Sequence, residues 1–160
     1  EDYGVTKLPV NVEEIAKKRG LFIKAFDLGE NVSGMLVMES GVGTIGFNPT
    51  ESKVRQRFTI AHELGHYEMH KQDNGFFIDK GFKVLYRDQN SSTGELRKEQ
   101  EANAFAAAIL MPEKFVIKEI KNHKLDLSDE ESMKALAKKF DVSIPAITFR
   151  IMNLNLLENT

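Results

Sequence analysis

The chain has 160 residues, 41% hydrophobic and 29% charged, with a formal net charge of −2 and no cysteine. Such a length and balance predict one globular domain over residues 1–160, large enough to bury a core. They exclude a disulfide-stapled scaffold and any Cys-based metal site, leaving His, Asp and Glu as ligands, and they lack the basic excess of a nucleic-acid binder.

Asn11 and Glu14 form a capping pair for a short amphipathic helix carrying Val12, Ile15 and Ala16 and ending near Gly20. The apolar run from Leu21 to Asp27 reads as a strand. Gly34 to Met38 and Thr44 to Asn48, bracketing Glu39-Ser40-Gly41-Val42-Gly43, have the pattern of a hairpin. A long helix is predicted from Ser52 to Lys71, with Val54, Phe58, Ala61 and Gly65 as its inner stripe. His62 and His66 sit beside that stripe, at the edge of the buried face.

Between Gln72 and Thr93 the pattern is less regular. Phe76 to Ile78 and Phe82 to Tyr86 suggest short extended pieces turning at Lys80-Gly81. Ser92 and Glu95 cap a helix that carries Glu99, Glu101 and Asn103 and stops before Pro112. Pro112 starts the next helix, to about His123. Ser128 with Glu131 opens another, ending near Phe140, and a last one runs from Ser143 to about Leu154. The fold class expected is α+β, with a small antiparallel N-terminal sheet packed on a mainly helical body.

The closing pair of helices, about residues 128–157, has a helix-turn-helix cadence within the same domain. Its second helix offers Arg150 as its one basic residue among Ile144, Ala146, Ile147, Phe149, Ile151 and Met152. That density of apolar residues belongs to a packed helix or a protein-docking surface, not to one lying in a major groove, so direct DNA binding is not expected. The longest apolar stretch, Ala102 to Met111, is too short to span a bilayer, and Glu1-Asp2-Tyr3-Gly4 lacks the features of a signal peptide. The expected location is the cytoplasm.

The chemistry is concentrated in His62-Glu63-Leu64-Gly65-His66. Histidines four apart on a helix project to nearly the same side and can grip one zinc ion. Glu63 follows His62 and can take the proton of a water polarised by that ion, the step that starts peptide hydrolysis. Gly65, with no side chain, lets another element pack closely behind the pair. His70 continues the spacing but lies about 12 Å from His62 along the axis, too far to share a tetrahedral ion. It reads instead as a helix C-terminal residue favoured by the dipole.

A third ligand must come from another element, and the helix after Ser92 supplies Glu99 and Glu101. Glu99 shares its face with Asn103, which can orient a ligating histidine, and with small Ala102 and Ala106, which permit close approach. Glu101 shares its face with Phe105 and Ala108 and is the alternative. Both glutamates also suit a solvated first turn.

Three separated segments resemble one family. They are Arg57-Phe58-Thr59-Ile60-Ala61-His62-Glu63-Leu64-Gly65-His66, Glu99-Gln100-Glu101-Ala102-Asn103-Ala104-Phe105-Ala106, and Leu110-Met111-Pro112. Together they look like the ImmA/IrrE-type metallo-endopeptidases, and Ser33-Gly34-Met35 and Ile45-Gly46-Phe47-Asn48 fit that family's small sheet. The resemblance covers roughly residues 9–157. It implies a zincin-like fold, a ligand glutamate in the position of Glu99, and an intracellular endopeptidase from a bacterium, phage or mobile element. It also implies a protein substrate of the helix-turn-helix repressor class.

Two further roles are expected around the centre. The strand Thr44 to Asn48 offers an edge for an extended substrate, which brings Asn48 to it. Tyr86 or Arg87 is placed to stabilise a developing oxyanion. Zinc is the expected ion, although Mn2+ or another divalent ion suits two His and a carboxylate as well. Two other readings compete: a regulatory module that binds a repressor around a structural or degenerate metal site, and a metallo-hydrolase of small substrates.

Overall fold

The computed structural model describes residues 3–70, 75–79 and 93–156. Six helices and four strands occur among them. In chain order they are α1 (Val12–Lys18), β1 (Phe22–Ala25), β2 (Gly34–Glu39), β3 (Val42–Phe47), α2 (Lys53–His70), β4 (Gly75–Asp79), α3 (Thr93–Leu110), α4 (Glu113–His123), α5 (Glu130–Phe140) and α6 (Ile144–Asn153). The chain divides into two compact units, one of residues 12–106 and one of residues 1–11 with 107–160.

The first unit holds the sheet, in the order β1-β3-β2-β4. Ser40 and Gly41, at φ 50° and 79°, form a two-residue turn between β2 and β3, tighter than the five-residue loop the sequence suggested. Left-handed values at both positions match the right-handed twist of paired strands, and glycine adopts them without a Cβ penalty. β2 pairs antiparallel with both β3 and β4.

The expectation of a purely antiparallel sheet is corrected by β1, which pairs parallel with β3, Phe22 opposite Thr44 and Ala25 opposite Phe47. The sheet is therefore mixed, and β3 is an interior strand. The cause lies in the connection of residues 26–33, which must cross the end of β3 to reach β2. Asn48 fixes that crossing. Its Nδ2 donates to the Gly29 and Val32 carbonyls at 2.8 and 3.2 Å, while its Oδ1 accepts from the Thr50 backbone N–H and hydroxyl at 3.1 and 2.7 Å.

Strand alternation then sorts the faces. Leu36, Met38 and Ile45 are buried beside α2 residues Ile60, Ala61 and Leu64, and α1 contributes Val12 and Ala16. Burying each large aliphatic side chain is worth about 1.5–3 kcal/mol. Across the middle of α2, every residue from Thr59 to His66 is buried, polar ones included. The sequence placed the two histidines at the edge of a buried face; the helix is instead enclosed on all sides there.

The second unit contains the end of α3 and the helices α4 to α6, with Val116, Leu136, Phe140, Ile147 and Ile151 in its interior. Pro112 is the N-cap residue of α4. α5 begins one residue later than its expected cap, because Asp126 accepts from both the N–H and hydroxyl of Ser128. Asp129 takes the capping role, accepting from the Ser132 N–H at 2.9 Å. Ser143 caps α6 through the Ala146 N–H, as its position suggested. No helix is long and apolar enough to cross a membrane among the described residues.

Candidate metal centre

The centre is built by two helices of the first unit. α2 brings His62 and His66 to one side, one turn apart, and α3 brings Glu99 opposite them. His62 Nε2 lies 3.1 Å from His66 Nε2 and 3.1 Å from Glu99 Oε2. His66 Nε2 lies 3.1 Å from Glu99 Oε1. The histidine side chains are 3% and 1% exposed, and Glu99 is 16% exposed.

This donor set suits a divalent cation. Two ligands held about 2.05 Å from one ion at the tetrahedral angle stand about 3.3 Å apart, close to all three separations found. The tautomer of His62 is also set for the task. Its Nδ1 lies 2.9 Å from Asn103 Oδ1, an acceptor, so Nδ1 carries a proton and Nε2 is the nitrogen that would offer its lone pair to an ion. Burial alone would push the Glu99 carboxyl up, but the facing imidazoles of His62 and His66 more than reverse this and bring it down to about 2. Glu99 is thus a carboxylate throughout the physiological range.

Close helix packing makes the convergence possible. A Cβ on Gly65 would stand 3.2 Å from the Ala102 Cα and 3.1 Å from the Phe105 ring, so only glycine lets α3 lie this near α2 without displacement. Glu63 is fully buried on the same turn as His62 and His66. Behind it β2 approaches at Gly34, where a Cβ would overlap the Thr59 methyl and stand 3.3 Å from Glu63 Oε1. Gly34 and Thr59 entered the sequence reading only as members of longer segments, since neither a strand glycine nor a helical threonine carries a chemical signature by itself.

The remaining expected residues fall elsewhere. Glu101 is not part of the cluster: its carboxylate meets Arg97 Nε at 2.8 Å and His70 Nε2 at 3.3 Å. Asn48 is 3% exposed, and the four hydrogen bonds of its carboxamide leave no polar atom for a substrate. Nor can an added strand pair with β3, which already has β1 and β2 on its two sides. Tyr86 and Arg87, with the piece Phe82 to Tyr86, lie outside the described residues. In the second unit, the Arg150 Nε–H donates to the Met111 carbonyl at 2.9 Å, which occupies the one basic side chain of α6.

Residues 16–152 match the model of the IrrE N-terminal-like domain, a peptidase family. The chain belongs to the ImmA/IrrE family. Over 106 residues it is 32% identical to Metallopeptidase ImmA of Bacillus subtilis (strain 168), an alignment covering 66% of this chain and 57% of that protein. The match therefore spans little more than half of the relative's length. An uncharacterized immunity region protein 2 of Bacillus phage phi105 is 24% identical over 149 residues, covering 93% of this chain and 83% of that one. A solved structure of a Mycobacterium tuberculosis transcriptional regulator superposes with a TM-score of 0.54 at 16% identity. It covers 85% of this chain and 38% of the other, a likeness of fold alone. Membership of a metallopeptidase family implies a divalent metal ion, and His62, His66 and Glu99 are the described residues grouped to hold one.

Proposed function

We propose that this chain is a zinc-dependent endopeptidase that cleaves a protein substrate, with His62, His66 and Glu99 as metal ligands and Glu63 as the catalytic base. The observation that carries this reading is the convergence of two imidazole nitrogens and a carboxylate at mutual distances of 3.1 Å, on the helix turn that also bears Glu63.

The residues divide the work. His62, His66 and Glu99 would hold the ion through Nε2, Nε2 and a carboxylate oxygen, and Asn103 would keep His62 in the ligating tautomer. When bound, zinc supplies Lewis-acid polarisation of a water and of the scissile carbonyl. Glu63 accepts the water's proton on a carboxylate oxygen and returns it to the leaving amide nitrogen. Its complete burial removes competing solvent, so the proton passes between reactants and carboxylate.

The substrate class follows from family resemblance: a helix-turn-helix transcriptional repressor inside the cell. Both the metallopeptidase named ImmA and the phage immunity-region relative support that direction. The test is a pair of variants incubated with a candidate repressor. Glu63→Gln should keep its metal and lose cleavage by about 100-fold or more. Undiminished regulation of the repressor by Glu63→Gln, without cleavage by either protein, would favour the non-catalytic binding module instead.

A further inference from the structure

The function proposed above leaves His70 and Glu101 without a role, and the structure brings them together. His70 stands one turn beyond His66 on α2, with ring centroids 5.7 Å apart. Its side chain is 9% exposed, and its Nε2 lies 3.3 Å from Glu101 Oε2. The backbone of Lys98 also stands beside the ring. The Lys98 carbonyl belongs to the peptide group that leads directly into Glu99, and Glu101 follows two residues later. His70 therefore meets α3 next to Glu99, through the carboxylate of Glu101. The other oxygen of Glu101 accepts from Arg97 Nε at 2.8 Å, which holds the carboxylate in place.

α3 is tied to α2 at three levels. Taken in order along α2, His62 meets Asn103, Gly65 receives Ala102 and Phe105, and His70 meets Glu101, with Glu99 two residues from Glu101 on α3. The His70–Glu101 contact lies two residues from Glu99, on the N-terminal side of the Asn103 and Gly65 contacts, and so bears on where the Glu99 carboxylate stands relative to the two imidazoles. An exposed ion pair between two helices contributes little stability by itself. A nearly buried imidazole meeting α3 beside a ligand does something more specific.

We propose that His70 is a positioning residue for the metal centre, which together with Glu101 sets the distance of the Glu99 carboxylate from the imidazoles of His62 and His66. The role rests on the reading of His62, His66 and Glu99 as metal ligands. It governs affinity and ligand geometry, not the proton transfer.

The experiment is a Co2+ titration of the full chain and of His70→Ala, His70→Gln, Glu101→Ala and Glu99→Ala, read by affinity and by the visible absorption of bound Co2+. Urea midpoints of the metal-free proteins are measured alongside. His70→Ala and Glu101→Ala should still bind Co2+ but about 10-fold or more weakly, with an altered spectrum. His70→Gln should recover part of the loss, because its amide N–H can still donate to the Glu101 carboxylate. Affinities within about threefold of wild type and an unchanged spectrum overturn the proposal, whatever the urea midpoints, since the pair is then a packing contact only. Should His70→Ala not fold, Glu101→Ala decides the matter from a side chain that is 37% exposed. A wild-type chain that takes up no Co2+ fails differently: it overturns the ligand reading itself, and the positioning role with it.

Discussion

Replacing Gly34 by Ala should destabilise the protein through one identifiable atom. The new Cβ would overlap the Thr59 methyl and stand 3.2 Å from the Gly46 carbonyl oxygen and 3.3 Å from Glu63 Oε1. Carbon atoms settle at about 3.5–4.0 Å, so the overlap with Thr59 exceeds what a few tenths of an ångström of relaxation can absorb. Thr59 is fully buried and its χ1 is stiff in a helix, which leaves the sheet or α2 to move. Overpacking of this kind costs about 1–3 kcal/mol, here at the upper end. The gain from replacing a strand glycine returns about 0.5–1 kcal/mol, for a net loss of about 2 kcal/mol. Thr59→Ser alone removes one methyl and should cost about 1 kcal/mol. The double variant puts the new Cβ where the methyl was, so the two changes should be coupled by about 2 kcal/mol. Urea denaturation measures this: with a slope of about 2 kcal/mol/M, Gly34→Ala lowers the midpoint by about 1 M and Thr59→Ser restores much of it. Additivity within about 0.5 kcal/mol would refute the close approach of β2 to α2.

Gly65→Ala sets a helix-propensity gain of about 1 kcal/mol against contacts of 3.1–3.2 Å to Phe105 and Ala102. Its urea midpoint should change little, while metal affinity falls about 10-fold as α3 is displaced; unchanged affinity in a metal titration would count against the packing argument. The Glu99 carboxyl is lowered from 4.5 to about 2, so its contribution to the metal-free fold is complete above about pH 4.5 and disappears as pH falls through about 2. Glu99→Gln should lack that part of the acid limb in circular-dichroism titrations, and superimposable limbs would contradict the assignment. Zinc at a hundredfold its Kd should stabilise the wild type by about 2.7 kcal/mol, seen as a raised Tm that a chelator reverses. His66→Ala should show no such rise.

What the sequence disclosed was mostly local. Caps at Ser143 and Pro112, the turn at Ser40-Gly41 and the periodicity of α1 and α2 each depend on residues a few positions apart, and each appears near its expected place. The parallel pairing of β1 with β3 was not legible, because nothing in either strand names its partner. It rests on a crossing of residues 26–33 held by Asn48, a residue whose place on a strand read as an edge suggested a substrate contact instead. Spacing likewise left Glu99 and Glu101 open. They are separated by their neighbours in space, two imidazoles for one and Arg97 with His70 for the other. The burial of α2 was hidden for a related reason: a stripe counted from apolar residues treats His, Glu and Thr as solvent-facing, whereas here they fill the interior.

That enclosure constrains how the protein can vary. From Thr59 to His66 no residue faces solvent, so the segment is interior while bearing two of the three candidate metal ligands. Elsewhere in a protein, neutral change accumulates on the wet side of a helix while the dry side is held constant. This stretch has no wet side. Sequence drift there has no harmless direction, and variants sought for greater robustness will be found in other parts of the chain, such as the exposed positions of α5 and α6.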